Sequence, residues 1–181
     1  AYLAYCHQEA PQWLALPIQY SDWAAWQQLT LDEDLAAKVL RAKERLANAP
    51  ELLSLPLDHP RDPERTRTAG YLPITLSGEL GRAIEALARR EQTTVFTVLL
   101  AAYGATLARL ARQEEVVIGS PVAGRTRIET EGLIGFLVNT LALPIAVDAQ
   151  CSGQTLITRT RTSVEAALVD QDLPFERLVE E

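Results

Sequence analysis

Apolar and polar positions fall into alternating blocks along the chain. Leu35, Val39, Ala42 and Leu46 recur at helical spacing, and Asp32 can cap the helix they predict, running to about Asn48. Ala83, Ile84, Leu87 and Ala88 form a second stripe, with Ser77 placed to cap it. Thr93 or Thr94 starts the next helix. From Val95 to Leu110 that helix is apolar on nearly every side, which predicts a central, buried position. Leu156, Ile157, Thr160, Val164, Ala167 and Leu168 make a further stripe after Gly153, and Pro174 suits the first turn of a last helix. Between these lie strand patterns. AGYLPITLSG (Ala69 to Gly78) alternates as a strand does. EEVVIGSPV (Glu114 to Val122) is a short apolar run bounded by Gly119 and Pro121, and FLVNTLALPIAV (Phe136 to Val147) reads as a long central strand. Strands alternate with helices, so the class is α/β.

The breaks are equally plain. Pro11 and Pro17 interrupt regular structure near the start. Residues 49–67, with LPLDHPRDP at their centre, predict an irregular proline-rich connector. AYLAYC at the beginning resembles the tail of a helix and FERLVEE at the end resembles the middle of one, so the chain is expected to be part of something longer. It has no internal repeat and no low-complexity tract.

Composition narrows the function classes. With 181 residues, 48% of them hydrophobic, the chain suits one domain or one lobe with a sizeable core. The formal charge is −7 and the arginines are scattered among acids, which argues against nucleic acid as a partner. No apolar run approaches the roughly 18 residues of a membrane span, and no signal peptide is visible. Cys6 and Cys151 are the only cysteines; one distant pair gives neither a disulfide framework nor metal spacing, and a cytoplasmic compartment fits.

Few residues promise chemistry by type and spacing. Ser120 follows a strand, but Gly-Ser-Pro is not the Gly-x-Ser-x-Gly of a nucleophile elbow. His7 and His59, the only histidines, are far apart; His59 suits a solvent-facing loop, and His7 the end of a helix, where the dipole favours a cation. GSPVAGR lacks the Lys-Ser/Thr end of a phosphate-binding loop. Arg125 follows Gly124 at a strand end, where a side chain can reach a cleft, whereas Arg127 reads as a surface arginine. Trp13, Trp23 and Trp26 suggest aromatic packing, with Asp22 among them capping a turn or meeting an arginine. Within GLIGFLVNTL (Gly132 to Leu141), which otherwise reads as buried, Asn139 and Thr140 stand side by side. Two readings of Asn139 stay open: a structural amide tying down neighbouring backbone, or a polar group beside a substrate path.

Three separated stretches resemble core motifs of the condensation domain of nonribosomal peptide synthetases. YSDWAAW (Tyr20 to Trp26) resembles Tyr-x-Asp-Tyr-Ala-x-Trp, with Tyr20, Asp22 and Trp26 matching. IGFLVNTLALP (Ile134 to Pro144) resembles Ile-Gly-x-Phe-Val-Asn-Thr-x-x-x-Arg, with Gly135, Asn139 and Thr140 matching and Pro144 in place of the closing Arg. DQDLPFE (Asp170 to Glu176) resembles His/Asn-Gln-Asp-Tyr-Pro-Phe-Glu, with Gln171, Asp172, Pro174 and Phe175 matching and Asp170 replacing His/Asn. The signature His-His-x-x-x-Asp-Gly is not among residues 1–181, and motif order puts its expected place upstream of Ala1.

The resemblance implies a fold and a role. The fold is a two-layer α/β sandwich, a chloramphenicol acetyltransferase-like lobe with a mixed sheet and helices on one face; residues 1–181 would be the C-terminal lobe. The reaction is amide formation between carrier-bound acyl or peptidyl and aminoacyl thioesters. No catalytic residue is expected in this chain: Arg125 would brace the signature's aspartate, and Asn139 and Thr140 would support the tunnel. The partners implied are the N-terminal lobe, peptidyl and aminoacyl carrier domains, which Arg159 and Arg161 could face, and an adjacent adenylation domain. No cofactor is bound, and substrates ride on the carriers' phosphopantetheine. A non-catalytic recruiting domain would share these motifs; an epimerization or cyclization relative is a further alternative, though VNTLAL resembles ordinary condensation more closely.

Overall fold

The computed structural model describes residues 2–8, 10, 15–59, 70–148 and 150–180. Along them run α1 (Tyr2–Cys6), α2 (Tyr20–Leu46), α3 (Gly78–Arg90), α4 (Val95–Ala111), β1 (Glu115–Val122), one 3-10 turn (Ile128–Thr130), β2 (Asn139–Ala146), α5 (Gly153–Val169) and α6 (Phe175–Glu180).

The helix starts follow local chemistry. Ser77, Thr94 and Ser152 each accept a backbone N–H three residues on, from Leu80, Thr97 and Thr155. α2 begins earlier than Asp32. Asp22 accepts the backbone N–H of Gln19 at 2.9 Å, which closes the first turn, and no proline or glycine interrupts the helix that follows. Asp32 therefore lies inside a 27-residue helix and not at its start.

β1 and β2 pair antiparallel, with Val116 opposite Ile145, Ile118 opposite Leu143 and Val122 opposite Asn139. Among the described residues this pair is the whole sheet, so the expected mixed sheet is a purely antiparallel one. Gly70 to Ser77 forms no strand: the segment alternates as one but has no partner ladder among the described residues, and Tyr71, Leu72 and Ile74 stand exposed. The long strand expected from Phe136 starts only at Asn139. Ile134 and Phe136 before it are 91% and 78% exposed, so that stretch is apolar without being buried.

Both prolines sit at matched places in the ladder. The Val147 N–H bonds the Glu114 carbonyl at 2.6 Å, which makes 116/145, 118/143 and 120/141 the bonded pairs. Pro121 and Pro144 fall on intervening pairs, with their nitrogens turned to the outer edges. The Pro144 carbonyl accepts the Ser163 hydroxyl of α5 at 2.8 Å.

One face of the sheet carries the core. Val116, Leu141, Leu143 and Ile145 pack under Val98, Ala101 and Ala108 of α4 and Leu156, Ile157 and Ala167 of α5, with Ala88 of α3 behind them. The two helices that carry this core, α4 and α5, lie on that one face. Because the sheet and α5 cover only one side of α4, its Phe96, Leu99, Tyr103 and Leu110 remain exposed, and the helix is not buried all round. Leu168 likewise leaves the α5 stripe and is exposed. The connector is irregular over 49–59 and is held by Gln113, which accepts from the Ser54 N–H at 3.1 Å and donates to the Leu52 carbonyl at 2.9 Å. Its remainder, 60–67, lies outside the described residues, as does Trp13.

α4 comes close to the sheet at Gly104, where an added Cβ would stand 2.7 Å from Ile145 Cγ2. Gly104→Ala should therefore cost about 1–3 kcal/mol. Gly81→Ala, in a helix with nothing within 4 Å, should gain a few tenths to about 1 kcal/mol. Denaturant melts of both variants check the pair.

Candidate functional site

The three motif stretches meet. A cleft of about 340 Å³ is walled on one side by Tyr20, Trp23 and Trp26 of α2, on another by Phe136 to Thr140, and on a third by the turn and helix start at 171–176. Gly124 and Thr126, from the loop after β1, line it too.

Each wall has a local cause. The Tyr20 ring packs on Gly135, where a Cβ would come within 2.3 Å of it, and the Tyr20 hydroxyl donates to the Phe136 carbonyl at 3.1 Å. The Tyr20 and Trp23 rings lie 5.7 Å apart, centroid to centroid. Gly124 has φ +64° and runs against the Leu137 carbonyl, which an added Cβ would strike at 1.8 Å. Both the backbone angle and the space demand glycine there. That turn delivers Arg125, whose Nη1 donates to the carbonyls of Thr130 and Glu131.

Asn139 has its amide fully engaged. Its Nδ2 donates to the carbonyls of Gln171 at 2.8 Å and Leu173 at 2.6 Å, and its Oδ1 accepts the Phe175 N–H at 3.2 Å. These bonds are those of a structural amide, and Asn139 also lines the cleft. Asn139 lies opposite Val122 on the helix side of the sheet, so it faces the turn between α5 and α6. Thr140, one residue on, turns to the other face and lines the cleft. Pro174 stands just before α6, and its carbonyl accepts the Leu178 N–H at 3.3 Å.

From the opposite side the same turn is held by charge. Asp170 is 3% exposed. Its carboxylate takes Arg41 Nη2 at 2.6 Å, Arg41 Nε at 3.3 Å and Arg45 Nη1 at 2.9 Å. Asp172 meets Lys38 at 2.8 Å. Burial pushes the Asp170 carboxyl up, but the hydrogen bonds and charges of Arg41 and Arg45 outweigh it and hold the group below its ordinary value.

Some residues play other parts than the sequence suggested. Arg127, expected as a plain surface arginine, lies over the Trp26 ring at 4.1 Å from its centroid. Arg159 is paired with Asp148 at 2.6 Å, and Arg161 donates to the carbonyls of Glu91 and Gln92. Ser120 lies inside β1 opposite Leu141, not on an elbow turn. His7 and His59 are exposed, and Cys6 and Cys151 are free thiols. Among the described residues no cluster of His, Cys, Asp and Glu could hold a metal ion, and no single helix is long and apolar enough to cross a membrane. Lys38, Arg41 and Arg45 were legible only as a basic stripe at i, i+3 and i+7.

The model of a family described as the Condensation domain matches residues 1–181. The chain is 43% identical to phosphinothricin tripeptide synthetase PhsB of Streptomyces viridochromogenes, over 99% of this chain and 15% of that protein. It is 42% identical to malpinin synthetase of Mortierella alpina, over 99% of this chain and 2% of that protein. It thus spans a small fraction of these relatives. Among solved structures, the X-domain from teicoplanin biosynthesis superposes with a TM-score of 0.87 at 22% identity, covering 99% of this chain and 41% of that one. That likeness bears on the fold alone, which is the chloramphenicol acetyltransferase-like one expected from the motifs.

Two outcomes follow for the turn at 170–175. Asn139→Ala strips two carbonyls and one N–H of their partner and should cost about 3 kcal/mol. Asn139→Asp keeps the acceptor for Phe175 but sets a carboxylate against two carbonyls, and should be no better. Urea unfolding of the chain reads both. Asp170→Asn should cost about 3 kcal/mol at neutral pH. The folded carboxyl titrates lower than the unfolded one. Its contribution is therefore complete above the unfolded value of about 4 and drains away as pH falls through the folded value. Thermal melts against pH should show the gap between wild type and Asp170→Asn closing in acid.

Proposed function

The chain belongs to the condensation-domain family, and from that membership we propose that it forms one lobe of a two-lobe enzyme making amide bonds between carrier-bound substrates. Peptide bond formation is the general function of the family. The observation that carries the reading for this chain is the meeting of residues 20–26, 136–140 and 171–176 around one cleft.

The chemistry asks little of covalent catalysis. The neutral amine of an acceptor aminoacyl thioester attacks the donor's thioester carbonyl. The C–N bond forms, the C–S bond breaks, and the amine's proton leaves with the thiol. Thioesters are already activated, so holding the two ends together supplies most of the gain, up to about 7–11 kcal/mol in ideal cases. A histidine on the companion lobe adds base or positioning help worth roughly 10²–10⁴-fold. Arg125 braces an aspartate beside that histidine; its loop contacts use Nη1, and a bidentate carboxylate contact can use Nε and Nη2. Asn139 and Thr140 keep the strand start and the turn in place at the cleft.

Exposed Ile134 and Phe136, with the outer side of α4, support a companion body covering this lobe. The substrates arrive on the phosphopantetheine arms of carrier domains in the cytoplasm, and an adenylation domain lies next in the same assembly.

The test is acyl transfer in the complete condensation domain that carries this chain. Intact-protein mass spectrometry follows a donor group from one carrier to the amine on another. Amide product on the acceptor carrier is expected. Arg125→Ala should slow it about 10²-fold, and Arg127→Ala much less. Absence of transfer, or equal loss in both variants, overturns the assignment.

A further inference from the structure

α2 reaches two regions of the molecule at once. At 1.5 Å per residue its 27 residues span about 40 Å. Its first turns carry Tyr20, Trp23 and Trp26, one wall of the cleft. Its later turns carry Lys38, Arg41 and Arg45, which hold Asp172 and Asp170. The turn at 170–172 runs straight on to Pro174 and Phe175, another wall of the same cleft.

The two sides are attached differently. The turn is fixed to β2 by Asn139. α2 is held more thinly: Ala42 is the one buried residue among those described in it. Charge supplies the directional contacts that fasten residues 38–45 of α2 to the turn. Bidentate contact between a guanidinium and a carboxylate fixes both distance and orientation, which apolar packing does only loosely.

We propose that the Asp170–Arg41–Arg45 cluster is a positioning device that sets the separation of the aromatic wall on α2 from the wall at Pro174 and Phe175. None of the three residues lines the cleft. They act through the helix and the turn they join, so the device is independent of which substrate the cleft takes. Removing the carboxylate leaves the aromatic wall attached at Tyr20 while the middle of the helix shifts, and the cleft changes width with its lining intact.

Distance measurement separates this from mere stapling. Spin labels are placed at Gln28→Cys of α2 and Val179→Cys of α6, both exposed, with Cys6→Ser and Cys151→Ser as background. Pulsed electron resonance then reads the separation of the helices in the folded chain. Asp170→Asn should move or broaden that distance by about 2 Å or more, the scale of helix shear, with helical content retained. Val98→Ala, a core change in α4, should lower the melting temperature and leave the distance alone. If Asp170→Asn does not fold, Arg41→Gln decides, since that side chain is half-exposed. An unchanged distance in the deciding variant, or an equal change in Val98→Ala, overturns the proposal.

Discussion

The amide of Asn139 joins parts of the chain that share no secondary structure. It sits at the first residue of β2, and its partners are the backbone of Gln171, Leu173 and Phe175. Without it, β2 and α5 would still pack through Leu141, Leu143 and Ile145. The turn after α5 would then be free of the sheet, and with it the start of α6. Three backbone groups that no helix satisfies find their partners in one side chain. That is why a polar residue interrupts an apolar run: the run supplies the core, and the interruption supplies the joint.

Charge completes from α2 what the amide begins from β2. Asp170 is buried, and a buried carboxylate is tolerated only when its partners are close and directional. Arg41 and Arg45 meet that condition from adjacent turns of one helix. The replacement of the usual His or Asn by Asp170 is thus matched by local cations. Burial and attraction oppose each other at this carboxyl, and attraction wins.

Local signals were legible and distant ones were not. Ser77 and Thr94 announced their helices because a cap and the N–H it serves lie three residues apart. Gly153 to Val169 followed from its stripe. Gly70 to Ser77 misled because alternation describes a strand's faces without naming a neighbour to bond. Tyr20 to Leu31 hid a helix because Pro17 and the aromatic cluster suggested a break, while the closing contact was between Gln19 and Asp22. The cleft itself was legible only through the resemblance of its three stretches to one family. Asp170 and Arg41 lie 129 positions apart, so nothing in the neighbourhood of either announces the pair.

The two prolines of the sheet bear on what else this surface can join. A chain adding to either outer edge would need an unbroken row of N–H donors. Pro121 removes one from the β1 edge and Pro144 removes one from the β2 edge, where Ser163 has already claimed the carbonyl. Among the described residues each edge is thus interrupted as a template for stacking copies. Association of this lobe is thereby steered away from ladder growth and toward its apolar side chains, whose contacts end where the complementary surface ends.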